Sequence, residues 1–263
     1  MLEFLLLIGM ITLTIWGFMN NILLGFVLLI AILLYYYFKR YATFCIMLAM
    51  RSYGNGQIVK SFHWFERAEK RGMSIPQKIT YAYYLLREGR VERSEAVLNG
   101  ILAFPMKPAL KYQAKSTHAL MLLKTGRIME AQEELEEIFP NFKNTTIYGN
   151  LGYVYILTGK LDKAEAFNQE AYDFNKDDTV ILDNMVQLYT KLSDYEKAWQ
   201  YAEELMAKKP TFAEAYYDAA VVAKNLGKTE EAKGYLEHAL TIRISFMSGV
   251  SHEEIQSLLD SLS

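Results

Sequence analysis

The stretch TTIYGNLGYVYILTGKLDKAEAFNQEAYDFNKDD, residues 145–178, reads as two short helices joined by a turn. Tyr148, Leu151 and Tyr155 follow one another at three- and four-residue spacing, which keeps them on one face of the first helix. Gly159 supplies the left-handed backbone that ends it. Gly152 and Ala164 stand where the two helices are expected to cross, and a side chain larger than a methyl would push them apart. Ala164 returns as Ala198 and Ala232, a period of 34 residues. Each alanine follows a turn residue by five positions (Gly159, Ser193, Gly227) and precedes a small or aliphatic residue by seven (Ala171, Leu205, Ala239). A fixed period of this length marks stacked supersecondary units, here pairs of helices, that bury one continuous core.

One period downstream lie Leu182, Met185, Tyr189, Tyr195, Ala198, Leu205 and Pro210; the next holds Tyr216, Ala219, Gly227, Ala232, Leu236 and Ala239. Upstream, Gly126 and Ala131 keep the five-residue step, followed by Leu135, Ile138 and Pro140. Gly89, Leu98, Ile101 and Pro105 form a looser copy with Ser94 in the alanine place, and Gly56, Ser61, Phe65 and Ala68 the loosest. Unit starts fall near residues 42, 75, 112, 145, 179 and 213, with the widest gap at residues 104–111, where Pro105 and Pro108 are expected to stretch a loop. After the last unit, Ser251 and Glu254 make a capping box ahead of an Ile255, Leu258, Leu259 and Leu262 stripe. Residues 247–263 are therefore expected to close the apolar end of the stack.

The aromatic-x-x-Leu-Gly-x-x-Tyr run at Tyr148–Tyr155, with the alanines that follow it, resembles the tetratricopeptide repeat, and the resemblance extends over residues 42–246. It implies an all-α fold, a right-handed α-α solenoid of about six units. It also implies that the first helix of each unit lines a concave, peptide-binding surface. Carried over unit by unit, the inward positions are Asn150, Asn184 and Asp218; Tyr83, Leu120, Tyr153, Gln187 and Val221; and Arg87, Lys124, Lys191 and Asn225. The candidate peptide-binding set is Asn150, Tyr153, Asn184, Gln187, Lys191, Asp218 and Asn225. A primary amide offers two donors and one acceptor, so stacked asparagines suit an extended peptide backbone. Specificity is then expected from pockets beside Tyr153 and Ile156. The other reading is that these asparagines are solvated or bond the next helix. One subgroup of the family clamps chaperone C-termini with a lysine at a position that here holds Ile79, Ser116, Gly149, Asp183 and Tyr217, which argues against that ligand. Arg87, Lys124 and Lys191 either favour acidic peptides or are solvated helix ends.

The N-terminal segment is different. Residues 1–41 carry only Glu3, Lys39 and Arg40 as charges, in two apolar runs (residues 4–19 and 22–38) separated by Asn20-Asn21. Each run reaches about 25 Å as a helix, slightly short of a hydrocarbon core of roughly 30 Å. Trp16 and Phe18, and Tyr35, Tyr36 and Tyr37, are placed to extend the spans into the interfaces. The expected arrangement over residues 1–41 is a transmembrane hairpin turning at Asn20-Asn21. Its competitors are one long or bent membrane helix and a signal peptide, the latter disfavoured by Glu3 and by the second apolar run. Lys39, Arg40, Arg51 and Lys60 flank the second run only, so both termini and the repeats are expected in the cytoplasm of a multi-pass cell-membrane protein of bacterial type. The second span is expected to continue unbroken from Ile22 to Ser52, the alternative being a break at Lys39–Tyr41. Gly9, Thr12, Gly17 and Gly25 are candidates for close helix approach, although they make no regular small-residue motif.

The rest is read as non-enzymatic. His63, His118, His238 and His252 lie in separate units without metal-ligand spacing, with His118 and His238 at core-facing phases. Glu133, Glu134, Glu136 and Glu137 read as a solvated convex face, and no phosphate loop or nucleophile elbow is present. No cofactor or metal is implied, Cys45 is the single cysteine, and the absence of basic patches interleaved with aromatics excludes nucleic acid. The chain is expected to be a membrane-tethered adaptor holding a protein or peptide partner, with the bilayer contacted through residues 4–38. The alternatives are a structural subunit or assembly factor of a membrane complex contacted through the hairpin, and an envelope-facing repeat protein if the topology is inverted.

Overall fold

The computed structural model describes residues 2–262. Those residues form fourteen α-helices and one 3-10 turn, with no strand among them. They divide into two compact units, residues 1–78 and 79–263.

In the first unit α1 (Leu2–Asn20) and α2 (Ile22–Gly54) are separated by the single residue Asn21. Asn21 is extended (φ −159°) and its side chain accepts from Leu23 N at 2.8 Å, so it caps α2 while reversing the chain. The hairpin is tightest at Gly17 and Gly25. A Cβ on Gly17 would come within 3.3 Å of Gly25 Cα, and one on Gly25 would strike the Phe18 ring. Gly9, by contrast, faces open space, and Thr12 bonds its own helix at Ile8 O. Outside that seam the apolar side chains are uncovered, from Phe4 to Phe38. Among the described residues α2 is the one helix long and apolar enough to cross a membrane by length and composition; Phe4–Asn20 is a shorter apolar helix. No break occurs at Lys39–Tyr41: α2 runs on to Gly54, because Arg40–Met50 offers helix formers and neither proline nor glycine. Gly56 (φ 73°) then turns the chain into α3 (Ile58–Lys70), and Ser61 on α3 donates to Ala49 O of α2 at 2.8 Å.

After α4 (Ile75–Arg87) the second unit continues with α5 (Val91–Leu102), α6 (Pro108–Lys124), α7 (Ile128–Ile138), α8 (Thr145–Leu157) and α9 (Leu161–Phe174). It is completed by α10 (Thr179–Lys191), α11 (Tyr195–Ala207), α12 (Ala213–Asn225), α13 (Thr229–Thr241) and α14 (His252–Asp260). The turns between paired helices carry the left-handed residue in the expected place, Gly89, Gly126, Gly159 and Gly227 with Ser193 (φ 60°) as the non-glycine member. Ala131, Ala164, Ala198, Ala232, Ala171, Leu205 and Ala239 are all fully buried, and one apolar core runs from Leu86 to Val222. Ser94 is buried in the alanine place without penalty, since its hydroxyl donates to Ala82 O at 2.8 Å.

The structure corrects the loop expected at residues 104–111. Pro108 is not in it: α6 begins there, because proline's missing N–H costs nothing at the first helical position. At the other end the Ser251–Glu254 capping box forms in full. Ile255 is buried, and Leu258, Leu259 and Leu262 pack on the α12–α13 core.

A candidate peptide groove on the first helices

Gly152 and Ala164 were expected to allow α8 and α9 to cross. In the structure the residue filling that crossing is Asn168 of α9, fully buried, whose Oδ1 would lie 2.2 Å from a Cβ on Gly152. Asn168 Nδ2 donates to Ala164 O at 2.9 Å and Gly152 O at 3.3 Å, and its Oδ1 accepts from Asn184 Nδ2 at 3.3 Å. Asn184 also donates to Gly149 O at 2.8 Å, so α10 is fastened to α8 through buried amides.

On the inner face of these first helices is a cavity of about 390 Å³. Tyr83 and Arg87 of α4, Leu120 and Lys124 of α6, Asn150 and Tyr153 of α8, and Asp183, Asn184 and Gln187 of α10 line it. Four of the seven expected site residues meet there: Asn150, Tyr153, Asn184 and Gln187. Lys191 and Asn225 are exposed, and Asn225 turns back to Val221 O of its own helix at 2.8 Å. Asp218 is partly accessible and acts on the cavity through its field. Ile156, expected beside the site, is a fully buried core residue and offers no pocket.

Sequence reasoning missed a further wall. The segment between α13 and α14, residues 242–251, crosses the groove and contributes Arg243, Ser245 and Met247–Gly249 to its lining. Arg243 Nη2 donates to both carboxylate oxygens of Glu88, at 2.8 and 2.9 Å, across 155 residues of sequence. Met247 packs on the main core, Phe246 lies over Gly89, and the Gly249 N–H donates to the Glu214 carboxylate of α12. The loose Met247-Ser248-Gly249 triplet permits this fold-back.

The cavity carries both signs of charge, Arg87, Lys124 and Arg243 beside Asp183 and Glu214. Burial, with Asp218 and Glu214 nearby, drives the Asp183 carboxyl well above its ordinary range. Burial and Glu214 push Asp218 up to about 7. Burial lowers Lys124, partly offset by Glu214 and Asp183, and raises the Tyr153 phenol in the field of the same carboxylates. Two buried polar atoms on the cavity wall, Asn150 Nδ2 and Asp183 Oδ1, have no hydrogen-bond partner in the protein. Such atoms are costly to bury unless a ligand or water completes them.

The acidic run on α7 is not simply solvated. Glu134 pairs with His118 Nδ1 at 2.7 Å, and Glu136 accepts from Tyr155 and Lys163, each on a neighbouring helix. His238 is exposed rather than core-facing, because its ring lies against the Tyr216 ring on the surface, 4.3 Å between centroids.

The family model of the tetratricopeptide repeat matches residues 145–178 and 213–243. Those two segments are tetratricopeptide repeats, and repeats of this kind are generally protein-interaction scaffolds rather than enzymes. Among its relatives, the cattle (Bos taurus) BBSome complex member BBS4 is 27% identical over 103 residues, 39% of this chain; the chain spans only 20% of that protein's length. Among solved structures, a chain of the APC/C Cut9–Hcn1 hetero-tetramer superimposes with TM-score 0.66 at 16% identity, covering 84% of this chain and 42% of that one. PilW, a type IV pilus biogenesis factor, superimposes with TM-score 0.61 at 14% identity, covering 84% and 99%. At these identities the likeness is one of fold.

Proposed function

We propose that the chain is a membrane-tethered adaptor: the hairpin of α1 and α2 anchors it, and the groove on the first helices of residues 79–263 holds a protein or peptide partner at the cytoplasmic face. The observation that carries the reading is the cavity of about 390 Å³ whose wall presents Asn150 Nδ2 and Asp183 Oδ1 without protein partners. The uncovered apolar surface of α1 and α2 and the cations at Lys39 and Arg40 support the tether and its orientation.

Photo-crosslinking in cells tests the groove. A photoreactive residue replacing Tyr153 is expected to give a protein adduct, and one replacing Leu33 on the apolar face of α2 is not. Adducts at position 33 alone would instead favour the second reading, a subunit of a membrane complex gripped through the hairpin. That reading draws on a shallow apolar hollow on α1 between Leu5, Gly9 and Leu13. Paired compartment reporters on the C-terminus, with and without residues 1–20, test orientation: external activity of the full chain would move the groove outside the cytoplasm.

A further inference from the structure

We infer that the groove receives a cationic group of its partner, an ammonium or a guanidinium, at the carboxylates of Asp183 and Glu214, in the field of Asp218. The inference rests on the groove reading and specifies what the groove takes.

Two carboxylates from adjacent first helices line the cavity, Asp183 on α10 and Glu214 on α12, and Asp218 on α12 lies near enough to act on both through its field. Such a cluster alone has ordinary explanations, so the decisive observation is the state of Asp183. Its residue surface is only 5% exposed, one oxygen accepts from Gln187 Nε2 at 3.0 Å, and Oδ1 is left with nothing while lining the cavity. A carboxylate buried to that degree ordinarily has an ion-pair or full hydrogen-bond partner. Glu214 has a partial one, the backbone N–H of Gly249. Among the described residues neither Asp183 nor Glu214 makes an ion pair with Arg87, Lys124 or Arg243, the basic residues of the lining. Arg243 is spent on Glu88, and Lys124 acts on Asp183 and Glu214 through its field without an ion pair to either among the described residues. Asn150 and Gln187 add amide groups on the same wall, the Asn150 N–H₂ facing the cavity unpartnered, so the rim can hold a peptide carbonyl beside the bound cation. A partner bearing a carboxylate here would meet a cluster of carboxyls that already raise one another's pKa; a partner bearing lysine, arginine or a free N-terminal amine would supply the missing donors.

A random-peptide phage library panned on the full chain in detergent micelles tests this, with selected peptides resynthesised and titrated. Asp183→Asn and Asp218→Asn remove a buried charge at constant shape, so they spare the fold. Asn150→Trp, checked by circular dichroism, fills the groove. Selected peptides are expected to carry a lysine, arginine or required free amine, and to lose affinity about tenfold or more in each aspartate variant. They are also expected to fail on Asn150→Trp. Peptides that need the open groove but lack a cation, or bind the aspartate variants undiminished, sink the cation inference and leave the groove standing. So do acidic peptides that depend on Lys124. Peptides indifferent to Asn150→Trp, or no enrichment at all, sink both.

Discussion

At Gly152 a single methyl group decides the packing of a whole unit. The Cβ it lacks would sit 2.2 Å from Asn168 Oδ1, and Asn168 cannot swing away without releasing the Ala164 carbonyl and the Asn184 amide. Gly152→Ala is therefore expected to destabilise the protein by roughly 1–3 kcal/mol, despite alanine's better helix propensity, measured by thermal unfolding. An unchanged melting temperature would mean the amide cluster is not structural. Asp218 carries a second prediction. Its folded pKa, about 7, lies above its ordinary 3.8, so its protonated form favours folding. The stability it contributes is complete below about pH 4 and is lost as the pH rises through about 7. Glu214 and Asp183 face it with Gln187, and Lys124 bears on those two carboxylates. Wild type should thus lose melting temperature between pH 5 and pH 8 relative to Asp218→Asn; parallel curves for the two proteins would refute it.

Between elements, the period seen in sequence returns as a repeated bond. Tyr155 of α8 donates to Glu136 of α7 at 2.9 Å, with Lys163 of α9 over its ring at 4.2 Å and also bonded to Glu136. One unit on, Tyr189 donates to Glu165 at 3.0 Å under Lys197 at 4.0 Å. Each set ties a unit to its neighbour along the outer helices. Tyr155→Phe, which keeps the ring and removes one charge-assisted donor, should cost about 1–2 kcal/mol in denaturant unfolding. The same mutation should raise the pKa of Glu136, because that hydrogen bond is one of the causes holding it low. The tyrosines were legible at 34-residue spacing, whereas the roles of Lys163, Lys197, Glu136 and Glu165 were not. The two glutamates occupy different registers, and a run of acidic residues reads in sequence as solvent-facing. Helix ends were legible wherever glycine, Asn21 or a capping box marked them, and failed at Pro108, since proline signals both a loop and a helix start.

At the scale of the molecule, the 34-residue period declared stacked helix pairs, because each unit repeats the same packing problem, and the family resemblance supplied the solenoid they build. The candidate site was legible only where it follows that period: Asn150, Tyr153, Asn184 and Gln187 sit at recurring positions of successive first helices. Arg243, Met247 and Gly249 follow no period, and their place in the groove depends on a contact 155 residues away in the chain. That contact changes how the array should come apart. Stacked repeats that touch only their neighbours unfold like a one-dimensional chain, fraying unit by unit from either end. A strut from the last unit to Glu88 bypasses the neighbours and makes early and late repeats share one fate. With Arg243→Glu and Met247→Ser together, the urea transition of the full chain in micelles should broaden, with a smaller apparent m-value, more than its midpoint falls. A transition as sharp as wild type's would leave cooperativity to the stack alone. If it broadens, a ten-residue crossing segment is what lets this solenoid behave as a single thermodynamic body rather than as a row of loosely coupled springs.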